Sequence, residues 1–171
     1  GSEADFARMV ELAHEQGIRI LVDVIVNHAG PPINNIDPAW PETWVRTSPP
    51  CDYETFETTA TCLIVPALQD VLTESVSPVE LPEFLLKKWE AEGRLEQELE
   101  ELDAFFERTN YPRAPKYYLI KWNTDWVRDY GIDGFRIDTA KHVDPDVWAD
   151  LKNEAQDAFL EWKTNHPDKK L

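Results

Sequence analysis

The chain has 171 residues and a formal net charge of −16, from 33 Asp and Glu against 17 Lys and Arg. Its 42% hydrophobic residues are typical of a globular domain with a core, and no apolar run approaches the roughly 20 residues of a membrane span. The negative charge argues against nucleic acid and anionic membranes as partners, and it favours a neutral or cationic ligand.

The first predicted elements are a helix over residues 3–16 and a strand over residues 18–26. Apolar residues in the helix recur at spacings of three and four, and Gly17 is placed to end it. The strand is a nearly unbroken β-branched run, which predicts burial on both faces. Asp23 interrupts that run, and a buried carboxylate needs a partner elsewhere in the chain.

The composition of the sequence changes after residue 28. Prolines are dense between residues 29 and 81, where regular elements are predicted to be short or absent. A segment of this length is too long for an ordinary connection, so it is a functional insertion or a small subdomain. Residues 82–109 are predicted to form a charged helical stretch that Gly93 breaks or bends.

The proline-rich segment contains both cysteines of the chain, Cys51 and Cys62, and two interpretations are open. A local disulfide favours a periplasmic or secreted protein, because disulfides persist in oxidising compartments. Two free thiols would fit a cytoplasmic protein. The disulfide is the favoured interpretation, and the two Cα atoms should then lie within about 7 Å of each other.

The last part of the chain is predicted to contain a helix, a short strand and a second helix. The first helix covers residues 117–130 and ends at Gly131, and the strand covers residues 134–138. The second helix runs from 145 to about 166, with Asp144 as its N-cap. Strands that alternate with helices predict an α/β fold with a parallel sheet.

Polar clusters stand at the ends of both predicted strands. Residues 23–28 read Asp-Val-Ile-Val-Asn-His, and residues 134–142 read Gly-Phe-Arg-Ile-Asp-Thr-Ala-Lys-His. Arg136 and Asp138 alternate along one strand, so the guanidinium lies on the same side as the carboxylate and can hold it ionised. An Asp held in this way at the tip of a barrel strand is a candidate nucleophile, and Asp23 is placed to support Arg136. The alternative is a set of buried salt bridges without catalysis.

Together the two motifs resemble the signatures Asp-x-x-x-Asn-His and Gly-x-Arg-x-Asp-x-x-Lys-His of the α-amylase family of retaining glycoside hydrolases. Both are complete here and stand in the same order, with a long insertion between them. The resemblance implies part of a TIM (β/α)8 barrel, from the helix before the third strand to the helix after the fourth. Residues 1–28 and 111–171 would be barrel segments, and residues 29–110 an irregular subdomain inserted after the third strand.

The resemblance also implies roles for residues in both motifs. Asp138 matches the catalytic nucleophile, and Arg136 matches the arginine that orients it. His28 matches a ligand of the sugar in the cleaved subsite, and Lys141 and His142 match contacts on the leaving-group side. The implied substrate is an α-1,4-glucan such as starch or maltodextrin.

A calcium ion is the cofactor that the resemblance implies. Asn27 matches one calcium ligand, and the backbone carbonyl of His142 matches another. A further family motif, Leu-Pro-Asp-Leu, supplies a calcium-binding Asp. The nearest segment here reads Leu-Gln-Asp-Val at residues 68–71, with Gln where Pro is usual, so Asp70 is the candidate. Ca²⁺ prefers such amide, carboxylate and carbonyl oxygens.

One departure from the family concerns the second catalytic carboxyl group. Retaining hydrolysis needs two carboxyl groups about 5–5.5 Å apart, and in the family the acid/base Glu follows the fifth barrel strand. We therefore expect these 171 residues to be an incomplete catalytic domain that is inactive and poorly stable alone.

Two other functions stay open from the sequence. The first is a related activity on the same scaffold: an α-glucosidase, a transglycosylase or an isomerising enzyme. The second is a non-catalytic fragment that binds glucan or calcium. The sequence predicts no oligomeric state.

Overall fold

The computed structural model describes residues 2–30 and 39–169, so residues 31–38 of the predicted insertion lie outside the described part of the chain. None of the described helices is both long enough and apolar enough to span a membrane. The chain forms two compact units. The first comprises residues 1–25, 120–138 and 145–171, and the second comprises residues 26–119 and 139–144.

The first unit contains two parallel strands and the helices that pack on them. Its elements in chain order are α1 (Glu3–Glu15), β1 (Leu21–Val24), most of α5 (Pro115–Tyr130), β5 (Gly134–Ile137) and α6 (Pro145–Asn165). Val10 of α1, Val127 of α5 and Ala158 of α6 meet Ile132 in a buried cluster. The helices and strands that the sequence predicts are therefore present in this unit, with shorter strands.

The prediction that the first strand is buried on both faces is wrong. Leu21 is 64% exposed and Ile25 is 44% exposed, whereas Val24 is fully buried. Among the described residues the sheet has two strands, β1 and β5, in a register that places Asp23 beside Arg136. The face of β1 that carries Leu21, Asp23 and Ile25 is therefore open to solvent, and Asp23 is not a buried carboxylate.

The second unit consists of short elements around a small antiparallel sheet. Its strands are β2 (His28–Ala29), β3 (Val45–Arg46) and β4 (Gln69–Val71), in the order β2-β4-β3. Its helices are α2 (Phe56–Ala60), α3 (Glu83–Ala91), α4 (Leu95–Thr109) and a 3₁₀ turn at Ala140–His142. Gly93, with a φ of +71°, separates α3 from α4, so the predicted break is confirmed. The division into residues 1–28, 29–110 and 111–171 stays a prediction.

Gly131 follows α5 in a backbone conformation that side chains other than glycine rarely adopt. Its φ is +66°, and a Cβ atom built there would lie 2.3 Å from Cε2 of Trp162 on α6. Gly17, which follows α1, has a similar φ of +73°, but nothing lies within 4 Å of its Cβ position. Gly131 therefore combines a conformational requirement with a close packing contact, whereas Gly17 has the first alone.

We expect Gly131→Ala to destabilise the chain more than Gly17→Ala. Both substitutions incur the left-handed backbone cost of about 1–2 kcal/mol, and only Gly131→Ala adds an overpacking cost of about 1–3 kcal/mol against Trp162. Urea unfolding of both variants measures the difference. Equal losses of unfolding free energy would contradict the packing that the structure gives for α6.

Asp133 connects three segments at the start of the two parallel strands. Its carboxylate accepts hydrogen bonds from the Ile20 amide at 2.8 Å and from Arg19 Nη1 at 2.6 Å, and His14 Nε2 lies 2.7 Å from it. Burial raises the pKa of the Asp133 carboxyl, but these hydrogen bonds outweigh burial and hold the pKa below its ordinary value. Asp133 therefore stabilises the folded chain in its ionised form.

This depressed pKa predicts how stability depends on pH. The contribution of Asp133 is present above the unfolded-state pKa of about 3.9 and is lost as the pH falls through the lower, folded-state pKa. We expect Asp133→Asn to lower the free energy of unfolding at pH 7, and the difference from the parent chain to shrink below pH 4. Asp129→Asn, which removes an exposed carboxylate paired with Arg128, is the control and should change little. A difference that grows on acidification would refute the assignment.

Candidate functional site

The first group of candidate residues lies at the carboxyl ends of β1 and β5, within the first unit. Both Asp23 carboxylate oxygens lie 2.7 Å from Nη1 of Arg136. Nη2 of the same guanidinium lies 3.6 Å from Oδ1 of Asp138. The predicted contacts of Arg136 with both carboxylates are therefore present. Hydrogen bonds to Asp23 raise the pKa of Arg136 above its ordinary value, so the guanidinium stays cationic between two carboxylates.

The local backbone explains why these three side chains meet. Asp23 and Arg136 are direct neighbours in the parallel register, and Arg136 and Asp138 are two residues apart on the same face. The Asp138 amide donates to the Val24 carbonyl at 3.0 Å, which extends the strand pairing to Asp138 itself. The Asp138 side chain is 30% exposed, so its carboxylate is oriented by Arg136 and accessible to a ligand.

The second group surrounds Asn27 in the second unit. Nδ2 of Asn27 donates to Oδ1 of Asp70 at 2.8 Å and to the His142 carbonyl at 3.2 Å. Asn27 and Asp70 are each 1% exposed. The three predicted calcium ligands are therefore brought together, because β2 pairs with β4 and the 3₁₀ turn contacts the same amide.

Asp70 is the most perturbed carboxyl group of this cluster. Burial raises its pKa to about 7, with Glu74 adding to the effect and Arg46 and Asn27 opposing it. Arg46 Nε lies 3.0 Å from Oδ2 of Asp70, but the two atoms do not have the geometry of a hydrogen bond. Oδ2 is buried, and among the described residues no donor forms a hydrogen bond to it. A buried carboxylate oxygen of this kind is suited to a cation.

The remaining predicted substrate ligands also lie in the second unit. Nδ1 of His28 lies 3.3 Å from Oδ1 of Asn27. Lys141 places its Nζ 5.0 Å from the centre of the Tyr53 ring, and the same ring meets the imidazole of His142 edge-on at 5.8 Å. His142 is 4% exposed.

The structure contains the predicted disulfide between Cys51 and Cys62, with the Cα atoms 4.9 Å apart. The bridged segment includes α2, and Thr59 of that helix accepts a hydrogen bond from Nδ1 of His142 at 2.8 Å. The disulfide therefore closes the loop that orients the imidazole of His142.

Sequence reasoning missed the residues that hold the predicted side chains in place. Arg46 pairs with Asp70 and Glu74, and Thr59 and Tyr53 contact His142. Arg46 is on the two-residue strand β3, Thr59 is on the short helix α2, and Tyr53 and Glu74 lie outside helices and strands. No periodicity or spacing in the sequence connects these residues with the motifs.

Comparison with known proteins identifies the family. Residues 1–170 match the family model of the α-amylase catalytic domain. The chain belongs to the α-amylase family. The match makes the first unit, with its two parallel strands, part of a TIM barrel.

Similar members of the α-amylase family are longer than this chain. A periplasmic α-amylase of Escherichia coli K12 is 32% identical over 221 residues, which cover 100% of this chain and 30% of that protein. A cyclomaltodextrinase of a Bacillus species is 27% identical, over 92% of this chain and 23% of that protein. The chain therefore spans less than a third of either relative.

Solved structures of the α-amylase family agree in fold. A crystal structure of an Anoxybacillus α-amylase superposes with a TM-score of 0.60 at 22% identity, covering 95% of this chain and 28% of that one. A Geobacillus thermoleovorans α-amylase in complex with acarbose gives a TM-score of 0.60 at 21% identity, with the same coverage of both chains. At these identities the superpositions demonstrate the fold alone.

Proposed function

We propose that this chain is part of a retaining glycoside hydrolase that acts on α-1,4-glucans such as starch and maltodextrins. The observation that carries the proposal is the contact of one guanidinium, that of Arg136, with Asp23 at 2.7 Å and Asp138 at 3.6 Å. This cluster lies at the carboxyl ends of two parallel strands, where TIM-barrel enzymes have their active sites. Membership of the α-amylase family supports the reaction class.

In the proposed mechanism Asp138 is the nucleophile. Its carboxylate attacks the anomeric carbon, the glycosidic bond breaks, and a covalent glycosyl-enzyme forms. A second carboxyl group protonates the leaving oxygen and then removes a proton from the water that releases the sugar. Arg136 holds Asp138 in position, and Asp23 holds Arg136. Both Asp23 oxygens lie against Arg136, so Asp23 is unsuited to act as the acid, and we propose that the acid/base comes from outside these 171 residues.

The sugar-binding residues are proposed from the second motif cluster. His28, Lys141 and His142 offer imidazole and ammonium donors to the hydroxyl groups of a glucan. The segment from 29 to 110 that carries α2, α3 and α4 is proposed as the subdomain inserted after the third barrel strand. Its short strands and its disulfide are consistent with a subdomain that has its own packing.

A periplasmic or secreted location is proposed for this enzyme. The disulfide between Cys51 and Cys62 requires an oxidising compartment to persist. The Escherichia coli relative is named as a periplasmic α-amylase.

A related activity is the second candidate function. Among the similar proteins are a cyclomaltodextrinase at 27% identity and a 4-α-glucanotransferase of Thermotoga maritima at 25% identity. In a transglycosylase the same glycosyl-enzyme is attacked by a sugar hydroxyl instead of water. The product pattern from maltoheptaose separates the two candidates, because hydrolysis gives only shorter sugars and transfer also gives longer ones.

We expect Asp138→Asn to abolish turnover in the barrel that contains this segment. Loss of a nucleophile that acts together with a partner typically lowers kcat by about 10⁴-fold or more. The measurement is starch hydrolysis, with Asp146→Asn, an exposed acid on α6, as the matched control.

A fluorinated glycosyl fluoride that slows release of the sugar should label Asp138 in the parent protein, as peptide mass spectrometry can detect. A label on another carboxyl group would contradict the assignment of Asp138 as the nucleophile. The 171 residues alone should not turn over starch.

We also propose that Asn27, Asp70 and the His142 carbonyl hold Ca²⁺. Oδ2 of Asp70 supports this, because it is buried and accepts no hydrogen bond although Arg46 lies 3.0 Å away. The position of the Asn27 amide supports it too. The oxygen and nitrogen of an amide are assigned from hydrogen bonding. If the oxygen and nitrogen of the Asn27 amide exchange places, the amide oxygen lies 2.8 Å from Oδ1 of Asp70 and 3.2 Å from the His142 carbonyl oxygen. These are separations that neighbouring oxygen ligands have around Ca²⁺ at Ca–O distances of about 2.3–2.6 Å. The ion would supply positive charge that ties β2, β4 and the 3₁₀ turn together.

We expect Asp70→Asn to remove the stabilisation that Ca²⁺ gives. At 100 times the dissociation constant, a ligand of the folded state stabilises by about 2.7 kcal/mol, so Ca²⁺ should raise the Tm of the parent chain and EDTA should reverse the shift. Asp103→Asn, which changes a carboxylate that is 71% exposed, should keep the Ca²⁺ response. Calorimetric titration gives the affinity directly. An unchanged Ca²⁺ response in Asp70→Asn would remove this site from the proposal.

A further inference from the structure

The disulfide has a third potential metal ligand beside it. The sulfurs of Cys51 and Cys62 and a ring nitrogen of His142 all lie within 4.8 Å of one another. Cys62 is 1% exposed and His142 is 4% exposed, whereas Cys51 is partly exposed. In the oxidised chain the sulfurs are bonded to each other and offer no thiolate. The same three groups would change their chemistry if that bond were reduced.

Backbone hydrogen bonds also hold the segments of the two cysteines together, in addition to the disulfide. The Cys51 amide donates to the Leu63 carbonyl at 3.1 Å, and the Leu63 amide donates to the Pro49 carbonyl at 2.8 Å. These hydrogen bonds form a bridge between the strand-like segments on which the cysteines stand. After reduction, side-chain rotation is enough to separate the sulfurs to the roughly 3.8 Å that two thiolates need around a tetrahedral Zn²⁺ with Zn–S bonds of about 2.3 Å.

His142 makes a hydrogen bond of the kind that metal-binding histidines make. A carbonyl can only accept a hydrogen bond, so Nδ1 of His142 carries the proton that reaches Thr59 at 2.8 Å, and the lone pair is on Nε2. A hydrogen bond from the ring nitrogen that does not bind the metal fixes the tautomer of metal-bound imidazoles. Sγ of Cys62 lies 3.2 Å from the same Thr59 carbonyl, so that oxygen lies beside two of the three ligands.

We propose that the reduced chain binds one Zn²⁺ through Cys51, Cys62 and His142. A dithiol reductant opens the disulfide to two thiols and is itself oxidised to its disulfide. Zn²⁺ then displaces two thiol protons, and the imidazole of His142 and a water molecule complete a tetrahedral site. Thiolate and imidazole ligands select Zn²⁺ over Ca²⁺, which prefers oxygen. The net charge of −16 favours the approach of a cation.

The proposal gives this loop a cross-link in either redox environment. It does not rest on the glycosidase activity, but it uses the His142 imidazole that is also proposed to contact a glucan, so the ring serves one of the two ligands at a time. In an oxidising compartment the disulfide joins Cys51 to Cys62. In a reducing one, the metal joins both cysteines to the 3₁₀ turn through His142.

The test uses Co²⁺ as a spectroscopic substitute for Zn²⁺. The protein that contains this segment is reduced with a dithiol, desalted under argon and titrated with Co²⁺, in parallel with the oxidised protein. We expect one Co²⁺ per reduced chain, with a thiolate-to-cobalt charge-transfer band and the intense visible bands of tetrahedral Co²⁺. Added Zn²⁺ should bleach these bands. The oxidised chain should give neither band.

Substitutions establish which residues bind the metal. His142→Ala keeps both cysteines and should weaken Co²⁺ binding by at least about tenfold, whereas His166→Ala changes a histidine stacked on Trp162 and should bind as the parent does. A Cys51→Ser, Cys62→Ser double variant should lose the charge-transfer band. Circular dichroism of each sample reports whether the reduced chain is folded. The proposal is overturned if the reduced chain gives no charge-transfer band, whether or not that chain is folded. It is also overturned if His142→Ala binds Co²⁺ as tightly as the parent.

Discussion

The parallel pairing of β1 with β5 brings Asp23 beside Arg136 across 113 residues of sequence. The two side chains are direct neighbours only in this register, and a shift of one residue would direct Arg136 to the opposite face of the sheet. Asp138 depends on the same register, because its amide donates to Val24 and its carboxylate lies against the guanidinium. The arrangement of the candidate nucleophile therefore follows from strand pairing rather than from any local feature of the loop after β5.

The second unit achieves its own arrangement with less regular structure. Its strands are two or three residues long, so backbone pairing alone defines little of it. Buried polar contacts do more of the positioning, as in the bonds of Asn27 to Asp70 and to the His142 carbonyl. Such contacts are worth most where water is excluded, which agrees with the 1% exposure of both Asn27 and Asp70. The high pKa of Asp70 is the energetic consequence of that burial.

His142 is the residue that both proposed metal sites of the second unit share. Its carbonyl faces Asn27, its imidazole is held by Thr59, and the disulfide lies within 4.8 Å of that ring. The calcium and zinc proposals use different atoms of this residue, the backbone oxygen and Nε2. They also require different chemistry from the partners, since hard oxygens suit Ca²⁺ and thiolates suit Zn²⁺.

α2 and the three short strands of the second unit were not predicted from the sequence, but the other α-helices, β1 and β5, the family resemblance and the residues of both motifs were. These features depend on spacing along the chain, as for Arg136 and Asp138 on one strand or the apolar positions of α1. Asp23 was also found, although on a wrong premise: the sequence predicted a buried carboxylate in need of a partner, and the Asp23 side chain is 51% exposed. The exposure of Leu21 and Ile25 and the pairing of Arg46 with Asp70 became clear from the folded chain and not from the sequence. Exposure depends on whether another layer covers a strand, and contacts between irregular segments depend on the path of the whole chain, so neither leaves a periodic pattern in the sequence.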